Sequence, residues 1–473
     1  MQSHRPIITV TLLTYLVVII NQLNDISAFQ RNDFGWRTLR KKLSLQNKVT
    51  MKMSSNEKGK PIVFSQDLEK YVGVQNTSNK WVDLSVSKDE LRPSATLTNG
   101  QCFNWIPVES LAPNDYIVNY VESKSTSPNK SAWGIHDAKE WIGCINESVF
   151  QIRETESSTL FKILAGDISV HEAKNILHDY FQLDISLKKL YKSWSKDDKN
   201  RMARIATAIP GCRIIRQDPS QCLFSFICSS NNNIPRITQI LSRFSEKYGN
   251  PIVDVPCRFI VDGGFERDSF KLHSFPKLHS FEDATEDDFR DLGFGYRAKY
   301  MVKTRDLLME RGGEDFLFSL REKSADYVQD ELIKFHGIGR KVADCVALFS
   351  LDQTSAIPVD VHVQHIACRD YNSTFIDSQR SLTPRVYKEI GDIFRERFSA
   401  YPGWAHSLLF VAELPSFRDA LPEDILHEME EWRVKESEMK AERKIKKNKK
   451  LLKEDPFKTP SPKRRKKMKQ YRP

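Results

Sequence analysis

The chain has 473 residues, 40% hydrophobic, 10% aromatic and 28% charged, which excludes a disordered protein and fits two or three packed domains. Its eight cysteines are too few for a disulfide scaffold and form no C-x-x-C pair. A zinc ribbon and a thioredoxin-type redox pair are thereby excluded, and the thiols read as reduced core residues of an intracellular protein. The net charge of +10 belongs to the ends: residues 1–60 hold 10 Lys and Arg against 3 Asp and Glu, residues 433–473 hold 18 against 5, and the stretch between holds 44 against 54. With an acidic body, any nucleic-acid-binding face must be a local patch of a few cations and backbone donors.

The run Ile7–Ile20 is aliphatic apart from Thr and Tyr and shorter than the about 20 apolar residues of a membrane span. Arg5 before it and Ser27-Ala28 after it give it the form of a signal-peptide core with its cleavage site. Phe29–Lys60 is basic, hydroxyl-bearing and nearly free of acids. With the Ala28/Phe29 step, this leader resembles the bipartite plastid presequences of algae with secondary plastids. An N-terminal anchor, or synthesis starting at Met51 or Met53, fits the same residues. Residues 1–60 are read as a disordered targeting leader to a plastid or mitochondrion, leaving a mature form without a membrane segment.

Residues 61–165 read as β-rich. Short alternating runs at Trp81–Leu84, Ala95–Thr98, Tyr116–Tyr120, Trp141–Ile145 and Val149–Ile152 are separated by turn clusters at Asn99-Gly100 and Ser123–Ser131, the pattern of antiparallel sheet. Beyond Asp167 the spacing becomes helical, as in Ile176-Leu177-Tyr180-Phe181, Leu223-Phe226-Ile227 and Ile237-Ile240-Leu241-Phe244. Residues 166–430 therefore read as a helical region, and the fold class is α+β: an antiparallel sheet domain followed by an all-α domain. Glu423–Leu452 favours helix and is amphipathic only at its start, at Ile425, Leu426, Met429 and Trp432. Residues 431–473 form a basic tail whose Thr459–Lys467 segment reads as a nuclear localisation signal. A solvated tail with loose affinity for DNA phosphates has the same composition.

One segment concentrates the chemistry, Leu332–Cys345 (LIKFHGIGRKVADC). A helix ends at Phe335, Gly337 and Gly339 permit a tight turn, and a second helix starts near Arg340 with Val342, Cys345, Val346 and Phe349 on its buried face. This is a helix-hairpin-helix pattern, in which hairpin N–H groups and a helix N-terminus hold a DNA phosphate without reading sequence. A plain corner between helices needs the same glycines. The apolar Ile338 between them and the cation behind them favour DNA. Nineteen residues after Lys341 stands Asp360, within Ile357–Val363 (IPVDVHV), where an extended chain would place Asp360 and His362 on one side. A helix follows, carrying His365 and Arg369. Asp360 is either the cap of that helix or the partner of Lys341.

Gly337-Ile338-Gly339 with Lys341, and Pro358-Val359-Asp360, resemble the helix-hairpin-helix DNA glycosylase superfamily. Lys341–Cys345, Pro358–His362, Ser229–Asn233, Gly295–Ala298, Asn99–Phe103 and Tyr180–Asp184 resemble its eukaryotic 8-oxoguanine DNA glycosylase branch. The resemblance runs from about Trp81 to Glu413. It is weakest over residues 250–272, which look like a longer loop.

What this resemblance implies is a bifunctional N-glycosylase and abasic-site lyase with no cofactor and no metal, acting as a monomer on double-stranded DNA containing oxidised guanine. A damaged base is flipped out of the duplex. Lys341 is then the nucleophile on the sugar C1′, leaving a Schiff base from which β-elimination cuts the strand, and Asp360 stabilises the cationic sugar. A free lysine is almost wholly protonated at neutral pH, so the helix N-terminus is expected to lower the Lys341 pKa. Gly100 corresponds to the residue whose carbonyl accepts the N7 hydrogen of 8-oxoguanine, although a β-turn glycine fits the same place. Cys345 and Phe410 correspond to the two faces that sandwich the base, with Pro358 beside them; core packing is the other reading of Phe410. Asn231 fills the vacated hole, Tyr296 is the wedge, Arg236 and Arg297 read the opposite cytosine, and His362 meets a flanking phosphate. Taken singly, the asparagines also fit a polar turn and the arginines a solvated surface.

One departure stands at His406, where the family usually has glutamine. Neutral histidine offers one donor and one acceptor, and protonated histidine two donors. Altered lesion specificity and an activity that falls at low pH are the expectations. Three rival readings fit these residues less well. The iron–sulfur relatives need four cysteines after the catalytic helices, but none follows Cys368. An alkylbase glycosylase generally lacks the lysine. A non-catalytic helix-hairpin-helix subunit has no need of both Lys341 and Asp360.

Overall fold

The computed structural model describes residues 80–108, 140–261, 264–371 and 382–454. The leader, the run Tyr116–Tyr120, the turn Ser123–Ser131 and the basic cluster Thr459–Lys467 lie outside the described residues.

The sheet is built from β1 (Val82–Asp83), β2 (Trp105–Pro107), β3 (Glu140–Ile145), β4 (Ser148–Glu154) and β5 (Thr159–Ala165). Its order is β1-β5-β4-β3-β2, with every pair antiparallel. Ile145 pairs with Ser148, leaving Asn146-Glu147 as a two-residue hairpin turn. Asn146 takes a φ of +54°, which asparagine tolerates better than most residues. Trp141, Phe150, Ile152 and Phe161 point to one side and are fully buried with Leu177, Phe181 and Ile215. Ile142, Cys144, Val149 and Leu164 on the other side pack with Leu272. Both faces are covered.

Two expectations are corrected here. Ala95–Thr98 is not a strand: Pro93–Thr96 is a single helical turn. Pro93 presets its first φ, and Thr98 Oγ1 and Asn99 Nδ2 donate back to the carbonyls of Ser94 and Ala95 at 2.5 and 3.0 Å. The segment 250–272 is not an irregular loop but a second sheet, the hairpin β6 (Pro251–Val261) and β7 (Gly264–His273). Val253, Val255 and Phe259 before the Asp262-Gly263 dipeptide are the alternation and turn signal of that hairpin.

The helical region includes Val170–Tyr180, Pro219–Ile227 and Ile234–Tyr248, as the spacing predicted, and then Ala298–Glu310, Ala325–Leu332, Arg340–Ser350, Val361–Asp370, Pro384–Arg397 and Pro402–Glu413. Helix Arg340–Ser350 is buried at every residue from Val342 to Ser350. The last helix, Glu423–Glu454, docks through its apolar start, where Ile425 and Met429 are buried. No helix among the described residues is long and apolar enough to cross a membrane. Arg213 ties the sheet side to the helices. Its buried guanidinium donates to the carbonyls of Phe181, Gln182 and Glu90 at 2.9, 2.6 and 2.8 Å. A charge this deep is tolerable only because its donors are matched.

Phe150→Ala is expected to cost about 3–5 kcal/mol of unfolding free energy, measured by urea denaturation. A loss under about 1 kcal/mol would mean that the cavity collapses or that the sheet core is not part of the cooperative unit.

Candidate active site

Helix Ala325–Leu332 ends and the chain turns through Gly337, whose φ is +81°. A Cβ on Gly337 would fall 2.5 Å from the Tyr300 ring, so both backbone and space require glycine. Ile338 is buried and anchors the turn. Gly339 is the N-cap of helix Arg340–Ser350 and brings no side chain to it. The first N–H groups of that helix therefore remain available to an outside acceptor, and an anion such as a phosphate suits them.

Lys341 sits in this first turn and opens into a cleft of about 430 Å³ that also contains Gly100, Cys345, Pro358, Asp360, His362, His406 and Phe410. Residues scattered over 300 positions of sequence thus meet at one place. The Lys341 Nζ lies 6.0 Å from the centre of the Phe226 ring. Asp360 is the N-cap of helix Val361–Asp370, its Oδ1 accepting from the N–H groups of His362 and Val363 at 2.9 and 3.1 Å. It is also close enough to Lys341 to act on its charge. The two readings of Asp360 coexist. His362 is already helical, so the extended alternation ends at Asp360 and the exposed imidazole stands at the mouth of the cleft, 6.2 Å from the Phe410 ring.

The electrostatics of Lys341 correct an expectation. Its pKa is held above the ordinary lysine range: the Cys345 sulfur, one helical turn away, is the largest cause, burial works against it, and Asp360 adds to the rise. The direction is set by these two acidic neighbours. The Cys345 thiol is itself pushed up to about 11, chiefly by burial. At neutral pH both groups keep their protons.

Gly100 takes a φ of +85° at the rim, 3.1 Å from Ile234 Cδ1 for a Cβ placed there. The turn that presents it is locked from below. Gln101 Nε2 donates to Thr96 O and Arg213 O at 2.7 and 2.9 Å, and Gln217 Nε2 donates to Gln101 O at 2.7 Å. His406 lines the opposite wall on helix Pro402–Glu413. It is buried, and neither ring nitrogen makes a hydrogen bond of good geometry among the described residues, although the Gly403 backbone lies close enough to favour its protonated form. Burial pulls its pKa down to about 4, with Asp360 opposing. The imidazole is neutral between pH 5.5 and 8, which moves the expected acid loss below that window.

On the protein surface beside the cleft, Asn231 is exposed with a φ of +50°. Tyr296 Oη and Arg297 Nε both donate to Ser230 O, at 3.0 and 3.1 Å, and Arg297 Nη2 reaches Asn231 O at 3.2 Å. Arg297 is only 4% exposed: it is no solvated surface charge but the brace of the turn that presents Asn231. The Tyr296 ring, 53% exposed, stacks on it with the guanidinium 4.4 Å from the ring centre. Arg236 is exposed in the first turn of helix Ile234–Tyr248, whose cap is Asn233.

The cleft also has an aromatic floor. Phe226 stacks on Phe349 at 5.6 Å and meets Phe103 edge-on at 5.7 Å, and all three line the cleft. In the sequence these residues are indistinguishable from core. Among the described residues no cluster of His, Cys, Asp or Glu is arranged to hold a metal ion.

A glycine hairpin at an uncapped helix N-terminus, a lysine and a carboxylate sharing one apolar cleft, and an exposed asparagine turn at its edge define a helix-hairpin-helix DNA glycosylase class of site. Residues 83–223 match the 8-oxoguanine DNA glycosylase N-terminal domain, and residues 224–388 the HhH-GPD superfamily of base excision DNA repair proteins. The chain is 34% identical to the N-glycosylase/DNA lyase OGG1 of Arabidopsis thaliana over 344 residues, 72% of this chain and 82% of that one. It is 34% identical to the N-glycosylase/DNA lyase of Saccharomyces cerevisiae over 364 residues, 71% and 87% of the two chains. It also superposes on the Clostridium acetobutylicum 8-oxoguanine glycosylase/lyase bound to double-stranded DNA with cytosine opposite 8-oxoG. That match has a TM-score of 0.51 and 27% identity, covering 69% of this chain and 92% of that one. The chain belongs to the 8-oxoguanine DNA glycosylase family of HhH-GPD base excision repair proteins.

Cys345→Ala removes the leading cause of the raised Lys341 pKa and is expected to lower it. The measurement is an NMR titration of protein whose lysines carry ¹³C-methyl groups. An unmoved resonance would assign the elevation to Asp360.

Proposed function

We propose that this chain is a bifunctional DNA N-glycosylase and abasic-site lyase that removes 8-oxoguanine opposite cytosine from duplex DNA. The observation that carries this reading is the convergence of Lys341, Asp360, Cys345 and Gly100 on one cleft directly behind the glycine hairpin. The hairpin holds a phosphate, so the flipped nucleotide's sugar lies near Lys341 while its base enters between Cys345 and Phe410. The deprotonated Lys341 amine bonds to C1′ as the bond from C1′ to the base breaks, and the electron pair leaves with the base, which takes up a proton. Opening of the sugar ring gives a protonated imine. Loss of a C2′ proton then expels the 3′ phosphate and cuts the strand. Asp360, fixed by its own cap hydrogen bonds, faces the positive charge that develops on the sugar.

Asn231 with Tyr296 would occupy the space the nucleotide leaves, and Arg236, Arg297 and His362 would serve the opposite cytosine and the flanking phosphate. Nothing in this chemistry requires a second subunit, and a monomer on double-stranded DNA suffices. The cluster Lys463–Lys467 supports a nuclear address and the leader an organellar one, two products of alternative starts. A second reading, excision of a different oxidised base, is favoured by His406 alone: a neutral imidazole in the cleft presents a different edge from an amide.

Borohydride trapping on a duplex with 8-oxoguanine opposite cytosine is expected to give a covalent protein–DNA band for the wild type and none for Lys341→Gln. A band that persists in the variant overturns Lys341 as nucleophile. No band together with excision of another lesion moves the assignment to the second reading. Because the Lys341 pKa is raised and His406 stays neutral, the single-turnover rate rises with pH between 7 and 9, and His406→Gln leaves that slope unchanged. A bell with a break near 6.5 that disappears in His406→Gln would contradict this. Asp360→Asn separates cap from charge. Asparagine caps as well as aspartate, so stability changes by less than about 1 kcal/mol, while excision falls by roughly 100-fold or more. Equal loss of both would reduce Asp360 to a cap.

A further inference from the structure

Asp360 serves Lys341 only while the chain leading into it is fixed against helix Arg340–Ser350. Yet Ile357–Asp360 belongs to no helix or strand. A buried phenol from a third helix supplies the missing fixture. Tyr387, on helix Pro384–Arg397, is 8% exposed. Its hydroxyl accepts from the Val359 N–H at 3.2 Å, lies 3.2 Å from the Ile357 carbonyl, and is 2.5 Å from Asp344 Oδ2. A phenol has one proton to give, and the short contact directs it to the carboxylate. Asp344 stands on the lysine helix, between Lys341 and Cys345 in its turns, and is buried. Its Oδ1 accepts from Gln329 Nε2 at 2.7 Å, and Gln329 Oε1 accepts from Arg340 Nη1 at 3.1 Å. Hydrogen bonds therefore run without a gap from Arg340, next to Lys341, to Val359, next to Asp360.

We propose that Tyr387 and Asp344 are positioning residues for the Lys341–Asp360 pair: the Tyr387 hydroxyl, oriented by Asp344, sets the Ile357–Asp360 segment against the helix that carries Lys341. This rests on the function proposed above and deepens it. Neither side chain lines the cleft, so both act through the groups they hold. A buried carboxylate is a costly way to accept two hydrogen bonds, and the Asp344 carboxyl is indeed pushed up to about 6, burial being the largest cause. The charged and titratable groups facing it are Arg340 and Cys345 on its own helix, and Tyr387 and Arg395 on the neighbouring one. Gln329 is neutral. A site selected for stability alone has no use for the charge. A site that needs two donors held at fixed angles does, because asparagine presents only one acceptor oxygen.

The test compares wild type, Tyr387→Phe and Asp344→Asn in the full chain. Single-turnover excision of 8-oxoguanine opposite cytosine is followed from pH 5 to 8. Borohydride trapping on an abasic-site duplex, and affinity for a duplex with an unreactive tetrahydrofuran abasic analogue, are measured alongside. Both variants are expected to excise and trap roughly 10- to 100-fold more slowly, with affinity unchanged within about twofold, as loss of alignment alone requires. The rate ratio of wild type to Asp344→Asn is expected to shrink as pH falls through about 6, where the wild-type carboxyl takes up its proton. Rates within about twofold of wild type in both variants overturn the proposal, as does a ratio that does not change with pH. Parallel loss of rate and affinity would make the network merely structural and overturns it as well. Should Tyr387→Phe fail to fold, Asp344→Asn decides, since it removes a buried charge and no volume. If the wild type traps the abasic duplex but leaves 8-oxoguanine in place, only the lesion assignment fails, and the trapping rates still decide the positioning role.

Discussion

A helix buried on all sides from Val342 to Ser350 leaves only its first turn for chemistry, and the rest of the molecule is arranged around that limit. The glycine hairpin must deliver the chain to this turn without a side chain in the way. The cleft must open at its N-terminal end. The carboxylate must come from a separate element, because every other position on the helix is committed to packing. Lys341, Cys345 and Phe349 line the cleft from this helix, and they recur four residues apart because positions at that spacing share one face.

The same burial accounts for the electrostatics. Inside an apolar cleft each charge is felt strongly by its neighbours, and Cys345 and Asp360 raise the Lys341 pKa where a helix terminus is expected to lower it. It also holds His406 neutral and Asp344 reluctant to ionise. The acidic body and basic ends are compatible with this economy. The helix terminus behind the glycine hairpin offers backbone N–H groups, which contribute no net charge.

Much of this was legible in the sequence because it is local. The Gly337-Ile338-Gly339 turn, the lysine two positions beyond it and the Pro358-Val359-Asp360 step each announce themselves within a few residues, and the helical spacing of the second half needs only a window of a dozen. What escaped is non-local or overridden. Ala95–Thr98 alternates like a strand, but Pro93 and two side-chain bonds to the backbone close it into a turn. The β6–β7 hairpin falls where the resemblance is weakest, although its alternation and Asp-Gly step stand in the sequence. The apolar alternation around His362 reads as extended chain, but the cap at Asp360 ends it and puts His362 in the helix. The network from Arg340 to Val359 joins residues up to 58 positions apart, and no spacing rule points to Tyr387. Arg297 has the type of a surface residue and the burial of a core one; only its three carbonyl contacts explain it.

Those contacts have a mechanical meaning. Asn231 already occupies a left-handed backbone conformation, and Arg297 and Tyr296 brace the preceding carbonyl from two directions. The element that would enter the duplex is thus formed before contact and loses little freedom on insertion. In such an encounter the protein is the stiff partner and the double helix the compliant one. The work of deformation then falls on the DNA, and steps that unstack easily are engaged ahead of rigid ones.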